Sequence, residues 1–206
     1  MTEESTVFVV DDDRAMRKSL RWLIESVNLR VETFESAQEF LEQFDNGRPG
    51  CLVLDVRMPG MSGLDLQDHL RAEGVDMPII IITAYGDVPM AVRAIKAGAL
   101  DFIEKPVCDQ VLLDHIHDAI ELDQKKRQTR AENQEVAERL ETLTKREAQV
   151  MNFVVAGMSS KEIAGELGVS FKTIEAHRAK IMKKMEAKSV PHLIHMNLLT
   201  RESGVS

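Results

Sequence analysis

Four apolar runs in the front half of the chain end in groups that can do chemistry. Val7–Val10 is followed at once by Asp11, Asp12 and Asp13, and Cys51–Leu54 runs into Asp55, with Arg57 two places on and a Pro-Gly pair after it. The run 79–82 ends in Thr83, and Asp101–Ile103 is followed closely by Lys105 and Pro106. If these runs are neighbouring strands of one sheet, all these side chains gather at one edge. Asp55 then faces Asp11 and Asp12 across a few ångströms, an arrangement that like charges resist unless a cation sits among them. An oxygen-rich site of carboxylates suits Mg²⁺, which keeps several waters and leaves room for phosphate oxygens. A carboxylate nucleophile, a metal, a cationic clamp and a hydroxyl donor together describe phosphoryl transfer. Asp13 is read differently, as an ordinary N-cap at the start of the next helix.

The elements that must hold these groups alternate in type. Thr6–Val10 is β-rich, and residues 14–27 carry Met16, Leu20, Leu23 and Ile24 at a helical period. Residues 29–34 read as a second strand, and Ser36 to Glu39 as a capping box opening a helix with Ala37, Phe40, Leu41 and Phe44. A helix over 62–73 follows the strand at 51–54. The stretch 78–82 is continuously apolar, as a central parallel strand should be. A helix over 89–98 and a short strand at 101–103 complete five β–α units in residues 1–122. Such alternation implies an α/β fold on a five-stranded parallel, doubly wound sheet covered on both faces; the expected fold class is flavodoxin-like, with order 2-1-3-4-5. Ligands of such sheets bind at the carboxyl ends of the strands, near the topological switch.

Charge divides the chain. Of a net −8, residues 1–122 hold 23 acids and 11 bases, residues 123–142 hold 5 of each, and residues 143–206 hold 6 acids and 10 bases. An acidic front and a basic rear suggest two modules with different partners, the basic one a nucleic-acid candidate. Cys51 and Cys108 lie in different elements and read as reduced core or near-core residues of a cytosolic protein. No apolar run is long enough for a membrane span, and MTEEST does not resemble a signal peptide. From Val107 to Leu140 helix formers dominate, so 123–142 is expected to be a helical linker continuing the last helix of the front domain. A disordered linker is the rival reading.

The front constellation resembles the receiver domain of bacterial response regulators: VVDDD, LDVRMPGMSG, IIITAYGD and DFIEKP occur in order at the strand ends. The resemblance implies that Asp55 accepts a phosphoryl group from a sensor histidine kinase. It implies Mg²⁺ held by Asp12, Asp55 and the backbone carbonyl of Arg57, with Asp11 helping directly or through water; Mn²⁺ or Ca²⁺ could substitute in vitro. Lys105 would pair with Asp55 or its phosphate, Thr83 would bond a phosphate oxygen, and Phe102 would rotate inward with it. A cis Lys105–Pro106 bond is also implied. The side chains of Arg57 and Tyr85 are expected to shield the acyl phosphate from water.

Residues 143–206 contain no convincing strand. Capping boxes at Thr144–Glu147 and Ser159–Glu162, a turn over Gly168-Val169-Ser170, and a helix over 171–185 predict an all-α, four-helix domain built on a helix-turn-helix. This block resembles the LuxR-type DNA-binding domain, and with the receiver it is similar to the NarL/FixJ class. MPGMSG and MEAKSVPHLIHM are nearest to FixJ-like members of that class. Ile174, Ile181 and Met185 would pack inward. Lys172, Glu175, Ala176, Ala179 and Lys183 would form the opposite face, the one a recognition helix puts into the major groove. Small Ala176 and Ala179 allow close approach, and Glu175 can accept from cytosine. Lys172, Arg178, Lys180, Lys183 and Lys184 are expected at phosphates, Thr173 at the same surface, and Lys161 and His177 as either contacts or packing residues.

The expectation is a cytoplasmic two-domain transcription factor, not an enzyme, switched on by Asp55 phosphorylation. Phosphate would favour homodimers through the fourth helix, fifth strand and fifth helix. The dimer would bind promoter DNA and act as an activator with RNA polymerase as a further partner, with no membrane involved. Two other readings compete. An aspartyl-phosphate hydrolase of the haloacid dehalogenase type would need a second aspartate where Arg57 stands. A regulator that binds proteins without DNA would fail on every promoter fragment.

Overall fold

The computed structural model describes residues 4–84 and 86–202, in two units, Met1–Lys126 and Arg127–Ser206. The first unit begins with β1 (Thr6–Val10), α1 (Arg14–Ser26), β2 (Arg30–Phe34) and α2 (Ala37–Gln43). It continues with β3 (Gly50–Asp55), α3 (Gly63–Ala72), β4 (Ile79–Thr83), α4 (Val88–Lys96) and β5 (Asp101–Glu104). The five strands are parallel, as the alternation predicts, and stand in the expected flavodoxin-like order β2-β1-β3-β4-β5.

Strand alternation divides the core into two layers. Phe8, Val10, Leu52, Leu54 and Ile81 point to the side covered by Phe40 of α2, Leu66 and Leu70 of α3 and Ala94 of α4. Val7, Val9, Val53, Ile80 and Ile82 point to the other side, covered by Leu20 and Ile24 of α1 and by Leu112 and Ile116 further on. β1, β3 and β4 are buried along their whole length, which is why they read as unbroken apolar runs.

Helix starts follow side-chain chemistry. Asp13 caps α1 by accepting from the Ala15 amide, Ser62 caps α3 and Asp87 caps α4. At α2 the expected capping box is only half made. The Ser36 hydroxyl accepts from the Glu39 amide, but the Glu39 carboxylate bonds the Glu35 amide at 2.7 Å, one residue before the cap.

α5 (Asp109–Glu141) is a single helix of 33 residues, and the stretch 123–142 belongs partly to each unit. Asp123 is buried in the first, its carboxylate accepting from the Gly50 amide at 2.9 Å. Val136 is buried in the core of the second. The linker therefore carries one buried anchor for each unit; Val136 continues the apolar spacing of Leu140 and Leu143, whereas a lone acid such as Asp123 leaves no periodic trace. Cys51 is buried, whereas Cys108 is exposed rather than near the core. Its place just before α5 puts it outside both apolar layers.

In the second unit α6 (Lys145–Val155), α7 (Ser160–Leu167), α8 (Phe171–Lys184) and α9 (Val190–Glu202) pack on the core holding Val136. Both predicted capping boxes, at Thr144 and Ser159, are complete. Gly168 ends α7 with φ of 63°, left-handed backbone that glycine adopts without a Cβ penalty, and Ser170 then caps α8. These two residues turn the chain between α7 and α8.

Asp123→Ala is expected to destabilise the first unit by about 1–3 kcal/mol, since it strands a buried amide; denaturant unfolding measures it. Glu147 is buried, and its carboxylate accepts from Lys184 at 2.7 Å and from the Thr144 amide. The Lys184 hydrogen bond, aided by the Thr144 amide, pulls its pKa down from 4.5 to about 2. A depressed carboxylate pKa stabilises above the unfolded value, and that contribution fades as pH falls from about 4.5 towards 2. Glu147→Gln keeps the cap but not the charge, so native protein should exceed it by about 1–2 kcal/mol at neutral pH. Thermal unfolding of both across the acid range should show that gap closing.

Candidate functional site

Register assembles the acidic site. Val10 stands opposite Leu54 across the β1–β3 ladder, so the next residues, Asp11 and Asp55, leave the sheet side by side. Parallel neighbours are about 4.8 Å apart, close enough for the two carboxylates to feel each other strongly. Asp55 pairs in turn with Ile82, and Thr83 with Glu104, which puts Thr83 and Lys105 at the same rim. The Lys105 amide donates to the Thr83 carbonyl at 2.8 Å, extending the ladder by one bond. The Lys105–Pro106 bond is cis.

Lys105 supplies a cation that the two carboxylates share. Its ammonium donates to Asp11 Oδ2 at 2.8 Å and to Asp55 Oδ1 at 2.7 Å. The remaining oxygens are also engaged: Asp11 Oδ1 accepts from the Asp13 amide at 2.8 Å and Asp55 Oδ2 from the Arg57 amide at 2.7 Å. Both carboxylates are almost wholly buried. Burial pushes the Asp55 pKa up against the opposing pull of the Lys105 hydrogen bond. For Lys105 burial works downward, but the bonds to Asp11 and Asp55 prevail and its pKa is raised.

The other predicted residues fall around this pair unevenly. Asp12 is exposed and does not join Asp11 and Asp55 on one point. Among the described residues no three His, Cys, Asp or Glu side chains group as a metal site. Asp11 and Asp55 do fit a hard cation, because they are adjacent oxygen donors already bridged by a positive charge. Thr83 is fully buried and Arg57 is exposed. Tyr85 lies outside the described residues. Phe102 is half-buried, with its ring against Gly86, where an added Cβ would come within 2.9 Å of ring carbon Cε1. Gly86 thus keeps room for the aromatic ring next to Thr83.

Two contributors are missing from the sequence reading. Arg17, one turn into α1, donates through Nη1 to the carbonyls of Asp11 and Asp12 at 2.7 and 2.9 Å, tying the acidic loop down. Gly86 is the other. A basic residue four to six places beyond the acidic run was the available signal for Arg17; nothing local marks Gly86.

In the second unit α8 buries Ile174 and Ile181, and its C-cap Met185 is buried beside them. It exposes Lys172, Thr173, Glu175, Ala176, Ala179, Lys180 and Lys183. Lys161 on α7 is also exposed, while His177 and Arg178 are half-buried. Four of the predicted residues have further surroundings that bear on the expectations. Lys184 turns away from the exposed face, bonding Glu147 and the Thr142 carbonyl at 2.7 and 2.8 Å. Glu175 has one oxygen engaged by the Ser160 hydroxyl, and the Thr173 hydroxyl pairs with that of Ser170 inside the helix cap. His177 Nδ1 is buried without a hydrogen-bond partner, which suits packing better than contact.

Comparison with known proteins agrees with both halves. Residues 7–117 match the response regulator receiver domain, and residues 141–197 match the bacterial regulatory proteins of the luxR family. The chain is 48% identical to the transcriptional regulatory protein TdiR of Thauera aromatica, over 93% of this chain and 84% of that one. It is 45% identical to the transcriptional regulatory protein FixJ of Rhizobium meliloti, over 94% and 95%. Among solved structures, that of the response regulator StyR has a TM-score of 0.86 at 46% identity, covering 95% of this chain and 98% of that one. Both family matches, the parallel sheet and the helix-turn-helix lead to one statement: this chain belongs to the response-regulator transcription factors, in which a receiver domain is joined to a LuxR-family DNA-binding domain.

Proposed function

We propose that Asp55 is the phosphoacceptor of a DNA-binding transcriptional regulator. The observation that carries this reading is the shared ammonium: Lys105 holds Asp55 Oδ1 at 2.7 Å, at the open end of the sheet, with Asp11 beside it. The reaction is attack of an Asp55 oxygen on the phosphorus of a phosphohistidine in the partner kinase. A P–O bond forms, the P–N bond breaks, and the imidazole leaves with the electron pair. Lys105 offsets the charge that builds on the transferred oxygens, and the Arg57 amide holds the second carboxylate oxygen in place. Asp11, Asp55 and the Arg57 carbonyl would hold Mg²⁺, with Asp12 reaching it from its exposed place beside the pair, and the ion would supply positive charge against the incoming phosphoryl oxygens. Thr83 and Phe102 respond to the new phosphate, the ring moving in the space beside Gly86.

Phosphorylation is read out by self-association. Val88, Val92 and Ile95 form an exposed stripe on α4, and Leu100 just before β5 and Val111 on α5 are exposed as well. Apolar side chains on consecutive elements are the composition of an interface. A second copy is the occupant, since a homodimer presents two α8 helices to two half-sites. Lys161, Lys172, Lys180 and Lys183, with Arg178, meet phosphates, while Ala176, Ala179 and the uncommitted Glu175 oxygen face base edges. The protein works on promoter DNA in the bacterial cytoplasm, alongside RNA polymerase, and turns over no external phosphoester.

Acetyl phosphate should tighten promoter binding of the native protein in a gel-shift titration. Asp55→Ala should lose that gain while keeping its basal affinity, and Val92→Glu should become phosphorylated yet gain little. An Asp55→Ala protein that still responds would reject the assignment. Lys105→Met leaves two buried carboxylates without their cation and should cost about 3 kcal/mol in urea unfolding. Millimolar magnesium should return part of that loss; equal loss with and without the ion would count against a cation site.

A further inference from the structure

A cavity of about 410 Å³ opens at the opposite end of the same sheet, at the entry to β4 and β5. Its floor is apolar and buried, formed by Met77, Pro78, Ile79 and Ala99. Two exposed cations, Arg71 at the end of α3 and Lys96 at the end of α4, stand on its lining. A third, Lys126, is already paired with Asp76 at 2.6 Å.

Gln67 distinguishes this cavity from a surface fold. The residue lines it and is 1% exposed. Its amide nitrogen donates to the Ala94 carbonyl at 3.0 Å, joining α3 to α4 and fixing which end of the amide is the acceptor. The other end, Oε1, is buried and has no hydrogen-bond partner. A buried acceptor left unmatched is costly and uncommon, so it marks a place where a donor belongs. The nearby backbone cannot provide it: the Leu100 and Ala99 amides are spent on the Ile79 and Ala94 carbonyls at 2.7 and 3.0 Å.

We propose that this cavity is a binding site for a small organic carboxylate that carries an O–H or N–H donor at the end remote from its acid group. The acid group is met by Arg71 and Lys96, the hydrocarbon body by the Met77–Ile79 floor, and the donor by Gln67 Oε1. Each part of the ligand answers one feature of the wall, and a molecule lacking one part leaves that feature unmatched. The site is separate from Asp55, since it lies where the strands begin rather than where they end.

The probe is 4-hydroxybenzoate, with benzoate lacking the donor and phenol lacking the acid. Each is titrated into the full-length protein while ¹⁵N NMR follows the Gln67 side-chain amide and the backbone amides of Gly98 to Leu100. Saturable shifts at those amides are expected, with 4-hydroxybenzoate binding about tenfold more tightly than either control. Arg71→Gln, at an exposed position, should weaken it by about the same factor. Gln67→Leu should erase the preference over benzoate; if that variant does not fold, the probe comparison on native protein decides alone. Absence of saturation, equal affinity for all three probes, or full affinity in Arg71→Gln would overturn the proposal and leave water as the partner of Gln67.

Discussion

Two carboxylates with little access to water can stand side by side only if something positive stands with them. Here that requirement is met by Lys105, whose ammonium bonds both Asp11 and Asp55. Much of the first unit serves this contact. Five buried residues of β1 and six of β3 hold the register that brings the acids together. β4 and β5 carry the lysine to the same rim, and helices on both faces keep water off the strands beneath. Burial makes the acid harder to charge while the lysine makes it easier, and the balance leaves Asp55 with a raised pKa. A carboxylate so held is positioned and partly neutralised at once.

The second unit solves a simpler problem by the same means. The buried acid Glu147 takes its cation from Lys184, which removes that lysine from the surface where its neighbours on α8 remain. Positive charge on α8 therefore divides by the face of the helix: one side stabilises the fold, the other is left for an anionic partner. The net positive charge of the rear segment overstates what the exposed face of α8 carries.

Legibility followed the range of the interaction. Asp55, Thr83 and Asp11 could be read because an apolar strand has a visible end, and parallel strands put their ends together. The inner face of α8 was readable from the spacing of Ile174, Ile181 and Met185. What escaped were contacts decided by where a side chain lands on another element. Lys184 reaches Glu147 across 37 residues, and Glu175 reaches Ser160 across 15. Arg17 and Gly86 act through backbone carbonyls and empty space, for which residue type gives only faint notice. Asp12 adjoins Asp11 in the chain yet is exposed where Asp11 is buried, a difference that the run of three aspartates does not show.

Cys51 sits in β3, four residues before Asp55, and burial together with the charge of Asp123 pushes its thiol up to about 12. Thiol chemistry runs through the thiolate, so this sulfur is silent while the sheet is closed. It becomes reactive only when the strand carrying Asp55 parts from its neighbours. Cys108, exposed before α5, labels without any such opening. The chain thus carries its own clock for sheet breathing: the slow thiol reports how often the central strands separate, and the fast one calibrates the reagent.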